Sequence, residues 1–105
     1  ILYKKAITGY RKTLGKSHPT TLDTVCSYSL LLRAQGDHSA AEKEQRQALE
    51  TGRAKLGRDH PQILRLLYNF GVTLCSLRKF EEAVSNYRES LAGRRANFGV
   101  QPLRM

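Results

Sequence analysis

Few residues in this sequence could carry out chemistry, and the candidates are His18, His38 and His60 with Cys26 and Cys75. Zinc sites usually place such ligands at short spacings such as C-x-x-C or H-x-x-x-H, and neither spacing occurs here. Cys75 with His60 as nucleophile and base has no visible third residue to orient the histidine. The glycines form no phosphate-binding loop. We therefore predict no metal, no cofactor, no catalytic residue and no small-molecule substrate, so the chain is not expected to be an enzyme.

Two of the histidines belong to a repeated motif, L-G-x-x-H-P-x-x-L. It occupies residues 14–22 and 56–64, a spacing of 42 residues, and a worn third copy begins at Phe98-Gly99. Self-similarity at such a period predicts an array of structural repeats. Because His18 and His60 recur with the period, we interpret them as structural.

This joint motif predicts the end of one helix and the start of the next. Leu14 and Leu56 should close a helix, and Gly15 and Gly57 should terminate it in the left-handed conformation. Ser17 or Asp59 should cap the next helix, with Pro19 or Pro61 in its first turn, where a missing N–H costs nothing.

Between the joints, apolar residues recur at the three- and four-residue spacing of amphipathic helices. Breaks at Gly36-Asp37 and Arg78-Lys79 divide the pattern into five helices, and no alternating run is long enough for a strand. The predicted fold class is therefore all-α. The predicted stripes are Tyr3, Ala6, Ile7, Tyr10 and Leu14; Leu22, Val25, Tyr28, Ser29 and Leu32; Ala41, Gln45, Ala48, Leu49, Gly52 and Leu56; Leu64, Leu67, Phe70, Gly71, Leu74 and Leu77; and Phe80, Ala83, Val84, Tyr87, Leu91 and Phe98.

The chain is strongly basic, with 18 Lys and Arg against 9 Asp and Glu and a net charge of +9. Such a charge favours anionic partners, including acidic peptides and nucleic acid. At the repeat spacing, basic residues superpose in two ladders, which we interpret as solvated outer faces, with an anion-binding ridge as the alternative. The ladders are Arg11, Arg53 and Arg95, and Lys4, Arg46 and Arg88.

Nothing in the sequence indicates a membrane span or a signal peptide. The two cysteines lie in apolar helical patterns, as expected of reduced, buried thiols, although the sequence does not exclude a disulfide between them. We expect a cytoplasmic location and no membrane partner.

The pattern of small and large residues resembles the tetratricopeptide repeat. The closest match runs through Leu67, Phe70-Gly71, Leu74, Phe80, Ala83, Tyr87 and Ser90, while His38 and Gln45 replace expected aromatics in the preceding unit, which predicts soft packing there. The 42-residue period and the joint motif resemble the kinesin-light-chain subclass. The resemblance implies an α-solenoid of antiparallel helix pairs in a right-handed superhelix. The expected organisation is a repeat segment at 1–99 and a tail at 100–105, the segment comprising the second helix of a truncated repeat at 1–15 and repeats at 18–57 and 60–99.

The resemblance also implies a protein-interaction scaffold that holds a peptide or protein segment in a concave groove lined by the first helix of each repeat. Asn69 matches an asparagine that bonds the bound peptide's backbone in this subclass, whereas Ser27 replaces it in the preceding unit. Asp23 and Cys26 also map to this surface. The candidate peptide-binding residues are Ser27, Leu30, Arg33, Arg65, Tyr68, Asn69, Val72 and Ser76.

Three functions stay open at this point. The first is binding of an acidic or extended segment in the groove. The second is a structural spacer within a larger sensor or scaffold protein. The third is nucleic-acid binding, against which the tyrosines argue because they fall mostly at core spacing. The chain opens in mid-helix, so we expect a piece of a longer array whose exposed terminal faces favour self-association.

Overall fold

The structure, a computed structural model, describes residues 2–98 and contains five α-helices and no strand in that range. The all-α prediction is confirmed. Most of the third joint motif and the predicted tail at 100–105 lie outside the described residues. The helices are α1 (Leu2–Thr13), α2 (Pro19–Ala34), α3 (His38–Leu56), α4 (Pro61–Ser76) and α5 (Phe80–Phe98).

Each helix packs on the next one in the chain, and α4 also packs on α2. The α2–α3 hairpin, called the first pair below, is thus followed by the α4–α5 hairpin, the second pair. This is a stack of helix pairs, 45 × 32 × 23 Å in extent. It places α2 and α4, the first helices of the two pairs, side by side.

The core lies where the first pair meets α4, and its large side chains come mainly from α2 and α4. Leu22, Val25, Ile63, Leu67 and Phe70 are each at most 2% exposed. The third helix supplies small residues instead, such as Ala41 and Ala48. Small residues let α4 approach closely, and the large ones fill the space that remains.

Several apolar residues of the predicted stripes are exposed at the two ends of the stack. In α1 Ile7 is deeply buried, whereas Tyr3 and Tyr10 are partly exposed, and in α5 Val84 and Leu91 are 46% and 53% exposed. This exposure agrees with the expectation of exposed terminal faces, because within residues 2–98 only one side of each end helix is covered by a neighbour.

The joints end their helices as predicted, through a glycine with positive φ. Gly15 has φ 96° and Gly57 has φ 91°, which side chains other than glycine rarely adopt. Helix α3 ends at Leu56, but α1 ends at Thr13, so Leu14 lies one residue beyond the helix that it was predicted to close.

The helix caps differ from the prediction. His18 and His60, not Ser17 and Asp59, occupy the N-cap positions, and the Nδ1 atom of each accepts a hydrogen bond of 3.1 Å, from the backbone N–H of Thr20 and of Gln62. A residue before proline is held in extended conformation, which is the conformation of an N-cap, so the capping position moves to the histidine. Ser17 instead donates a hydrogen bond of 2.9 Å to the Thr51 carbonyl of α3.

The turns inside the two pairs also lie where predicted. Asp37 caps α3, with its carboxylate accepting from the Ala40 N–H at 3.2 Å. Gly36 has φ 84°, and its counterpart one repeat later, Arg78, adopts φ 64°. Both turns reverse the chain so that the second helix of each pair packs back on the first.

Candidate functional site

The predicted groove residues lie on α2 and α4, and two contacts join these helices along that surface. The Arg65 guanidinium forms an ion pair with the Asp23 carboxylate, and the Asn69 side chain lies close enough to the Cys26 thiol to lower its pKa. The structure therefore brings residues from both helices into one surface.

Asn69 is half-buried between the two helices, and its neighbour Cys26 is 1% exposed. Burial raises the pKa of Cys26 to about 11, an effect that the Arg65 charge and the Asn69 hydrogen bond oppose. A thiol with such a pKa stays protonated at neutral pH and is a poor nucleophile. Cys26 thus acts as a buried packing residue next to Asn69.

The remaining groove candidates differ in how accessible they are. Leu30 is 43% exposed, while Ser27 and Val72 are half-buried. Ser76 is exposed, but its hydroxyl donates to the Val72 carbonyl at 3.3 Å. Ser76 was predicted as the counterpart of Arg33 in the next repeat. At the 42-residue spacing that counterpart is Cys75, so Ser76 lies one position away from the predicted groove surface.

The two groove arginines are not equivalent. Arg65 is already paired with Asp23, whereas the Nη1 atom of half-buried Arg33 has no hydrogen-bond partner among the described residues. The unpaired Nη1 atom is itself buried, but no carboxylate of the described residues competes with a ligand for the rest of the Arg33 guanidinium. Arg33 is therefore the stronger anion-binding candidate.

Tyr68 lies at the edge of the groove and turns towards α5. Its ring centroid is 5.6 Å from that of Tyr87, and the Arg94 guanidinium lies 5.8 Å from the Tyr68 ring. Tyr87 also contacts Cys75, with 3.8 Å between its hydroxyl and Sγ. Burial, followed by the Cys75 contact, raises the pKa of Tyr87 to about 12.

Three members of the predicted basic ladders are paired with carboxylates rather than free to form an anion-binding ridge. Arg11 contacts Glu44 at 3.4 Å, and Arg53 contacts Glu89 at 2.6 Å. Arg46 binds Glu42 and Glu82, each at 2.8 Å, and also lies 5.0 Å from the Phe70 ring centroid. These arginines join helices of successive pairs.

Sequence reasoning missed the acidic partners Glu44, Glu82 and Glu89, because it superposed the arginines and did not look for carboxylates on the facing helix. It also missed the surface around Leu91 and Arg94, although the apolar residues Val84 and Leu91 in the last predicted helix were a sequence signal for it.

The described range, residues 2–98, contains neither a metal-binding cluster nor a membrane-spanning helix. No three His, Cys, Asp or Glu side chains there come together in a way that could hold a metal ion. None of the described helices combines the length and the apolar character needed to cross a bilayer. Cys26 and Cys75 are both free thiols.

Comparison with known proteins gives a family. A search of curated proteins finds no match to this chain. The family model of the tetratricopeptide repeat matches residues 28–96, which is more than half of the chain and spans the last part of α2, all of α3 and α4 and most of α5. The helix pairs described above have the architecture that this match requires. The chain belongs to the tetratricopeptide repeat family, whose repeats generally mediate interactions between proteins.

Proposed function

We propose that the α2–α4 surface binds an extended peptide segment that carries a carboxylate. The observation that carries the proposal is the half-buried Asn69 amide, held beside Cys26 on a surface whose other candidate residues remain at least partly accessible. A fixed amide can donate to a peptide carbonyl and accept from a peptide N–H at the same time.

The roles of the other residues follow from their surroundings. Arg33 would bind the carboxylate through the accessible part of its half-buried side chain, since no carboxylate of the described residues pairs with it. Leu30 and Val72 would supply apolar contact on either side of the peptide, one from each helix. Arg65 would contribute less than Arg33, because a ligand must compete with Asp23 for it. The +9 net charge supports an acidic partner by steering it to the surface.

The subclass and the location are part of the same proposal. The 42-residue period and the two joint motifs support a kinesin-light-chain-like array that acts as a scaffold. The two free thiols support a reducing compartment and hence the cytoplasm.

The test is selection of a random twelve-residue peptide library against the immobilised chain, followed by affinity measurement of the enriched peptides. We expect enrichment of acidic peptides and about tenfold weaker binding by the Asn69→Ala variant, equivalent to one lost hydrogen bond to the peptide. Arg33→Gln should weaken only peptides that carry a carboxylate. Gln47→Ala, an exposed change on α3, serves as the control and should bind normally.

Two outcomes would contradict this function. Peptide binding that Asn69→Ala and Arg33→Gln leave unchanged, with helicity intact by circular dichroism, would favour the structural-spacer alternative. Binding to any single-stranded oligonucleotide with a steep dependence on salt concentration would favour nucleic acid.

A further inference from the structure

A second surface lies on the outer side of the second pair and is separate from most of the groove. Tyr68, Tyr87, Ser90, Leu91 and Arg94 line a shallow depression of about 390 Å³ there. We call this the end face. Tyr68 and Leu91 are 49% and 53% exposed, so the end face presents large apolar side chains to solvent.

The equivalent surface of the first pair indicates which structural element the end face can bind. The residues 42 positions earlier form the surface on which α4 packs. They are all buried, and they are Cys26, Gln45, Ala48, Leu49 and Gly52. A Cβ atom on Gly52 would lie 2.7 Å from Ile63 Cδ1 of α4, so this earlier surface is fitted closely to a helix. The same backbone arrangement in the second pair makes the end face a receptor for one helix.

The end face differs in charge from the surface that receives α4. Arg94 replaces Gly52, and Arg65 replaces Asp23, the residue that pairs with α4 in the first pair. In the first pair, Glu42 binds Arg46. The equivalent residues of the second pair are Val84 and Arg88, so Arg88 has an apolar residue where Arg46 has a carboxylate. A helix on the end face therefore meets apolar side chains bordered by basic ones.

A second copy of this chain is a poor match for such a surface. The helix at the opposite end of the stack, α1, contains Lys4, Lys5, Arg11 and Lys12 and no acidic residue. Two chains of +9 would also repel each other. Charge complementarity favours a helix with the opposite sign.

We propose that the end face binds an amphipathic helix of a partner protein, with apolar residues against Leu91 and Tyr87 and acidic residues beside Arg94 and Arg88. The proposal does not depend on the groove function, since Leu91 and Arg94 lie outside the candidate groove. It gives the chain a second protein-binding surface, which shares Tyr68 with the candidate groove.

The probe is a pair of synthetic sixteen-residue peptides of the length of α4. Both carry leucine at the positions where α4 carries Ile63, Leu66, Leu67, Phe70 and Leu74. One has glutamate and alanine at the remaining positions, and the other has lysine and alanine. Binding to the full 105-residue chain is measured by fluorescence anisotropy at physiological salt.

We expect the glutamate peptide to bind and the lysine peptide not to bind. Leu91→Ser and Arg94→Glu should each weaken the glutamate peptide about tenfold, a typical loss for a central interface residue. Lys5→Glu, which makes the same charge change as Arg94→Glu but on α1, should alter binding less than about threefold, as expected of a remote charge. Asn69→Ala should bind this probe normally.

The proposal is overturned if neither peptide binds, if both bind equally, or if Lys5→Glu weakens binding as much as Arg94→Glu does. Sedimentation gives an independent check. A concentration-dependent dimer that Leu91→Ser dissociates would assign the end face to a second copy of the chain. Circular dichroism should show unchanged helicity for both end-face variants, since both side chains are exposed.

Discussion

At the scale of single residues, two helical glycines have opposite roles. Gly52 is buried where α3 meets α4, and a Cβ atom there would lie 2.7 Å from Ile63 Cδ1 and 3.2 Å from Leu22 Cδ1. Both neighbours are fully enclosed, so neither can move without displacing other core atoms. Gly9 in α1 has open space where a Cβ would be added.

We therefore expect opposite effects from the same substitution at the two sites. Gly9→Ala should raise the free energy of unfolding by about 0.5–1 kcal/mol, because alanine loses less backbone entropy in a helix. Gly52→Ala has the same advantage in backbone entropy, but its added methyl group overpacks the core, which should lower the free energy of unfolding by about 1–3 kcal/mol. Urea denaturation of both variants measures the difference, and equal stabilisation would show that α3 and α4 are not closely fitted at Gly52.

Residue types alone did not identify the caps. Serine and aspartate are usual N-cap residues, and Ser17 and Asp59 each stand two positions before the proline of their joint motif. The backbone restriction imposed by Pro19 and Pro61 decides the matter instead, because it places His18 and His60 in the extended conformation of a cap. Such a constraint acts through the following residue, so side-chain preference is a poor guide to it.

At the scale of the helix, His60 is expected to hold the start of α4 through its Nδ1 bond to the Gln62 N–H. His60→Ala leaves that N–H without its side-chain acceptor and should lower the free energy of unfolding by about 1 kcal/mol, the usual value of an N-cap. His60→Asn supplies a new acceptor at the same place and should retain most of the stability.

Thermal unfolding followed by circular dichroism compares the two variants. An equal loss for alanine and asparagine would mean that the imidazole contributes by packing rather than by capping. The corresponding pair at His18 repeats the test at the start of α2, where the same bond is made to Thr20.

The number of helices, their turns and most of their buried faces could be predicted from the sequence, because these features depend on local chemistry and on spacing. Gly15, Gly57 and Asp37 act on their immediate neighbours, so their effects were visible in the motif. The degree of burial is different, since Leu49 is 8% exposed and Leu91, at the equivalent position of the next repeat, is 53% exposed. Burial depends on what packs on a helix, which its own sequence does not state.

The same limit applies to the candidate site. The resemblance to the tetratricopeptide repeat predicted that Asn69 and Arg33 share one surface, but it treated Arg33 and Arg65 as equals. Only the three-dimensional contacts separate them, because Asp23 neutralises Arg65 from another helix. Whether a polar side chain is available for a ligand is thus a property of the packed pair of helices.

At the scale of the whole molecule, ion pairs connect one helix pair to the next. Glu42 of α3 accepts hydrogen bonds from Lys79 at 2.7 Å and Arg46 at 2.8 Å, and its side chain is only 15% exposed. Arg46 in turn reaches Glu82 of α5. This cluster spans the boundary between the two pairs, so its loss should lower the free energy of unfolding of the whole stack.

The cluster predicts how stability depends on pH. Hydrogen bonds from Lys79 and then Arg46 hold the pKa of Glu42 below its ordinary value of 4.5. As pH falls below 4.5, the unfolded chain takes up a proton at this position before the folded chain does. The stabilisation is therefore fully present above that pH and is lost as pH falls through the lowered pKa of the folded state.

Glu42→Gln removes this titration. The free energy of unfolding of the variant should therefore fall less steeply than that of the parent between roughly pH 5 and pH 3, the range in which a carboxyl group of lowered pKa titrates. At neutral pH the variant should be less stable than the parent, because Lys79 and Arg46 lose their shared carboxylate. Glu50→Gln, an exposed change on the same helix, controls for the removal of one negative charge. Urea titrations across this pH range measure the slope, and parallel curves for the parent and Glu42→Gln would show that the boundary between the pairs does not depend on the Glu42 carboxylate.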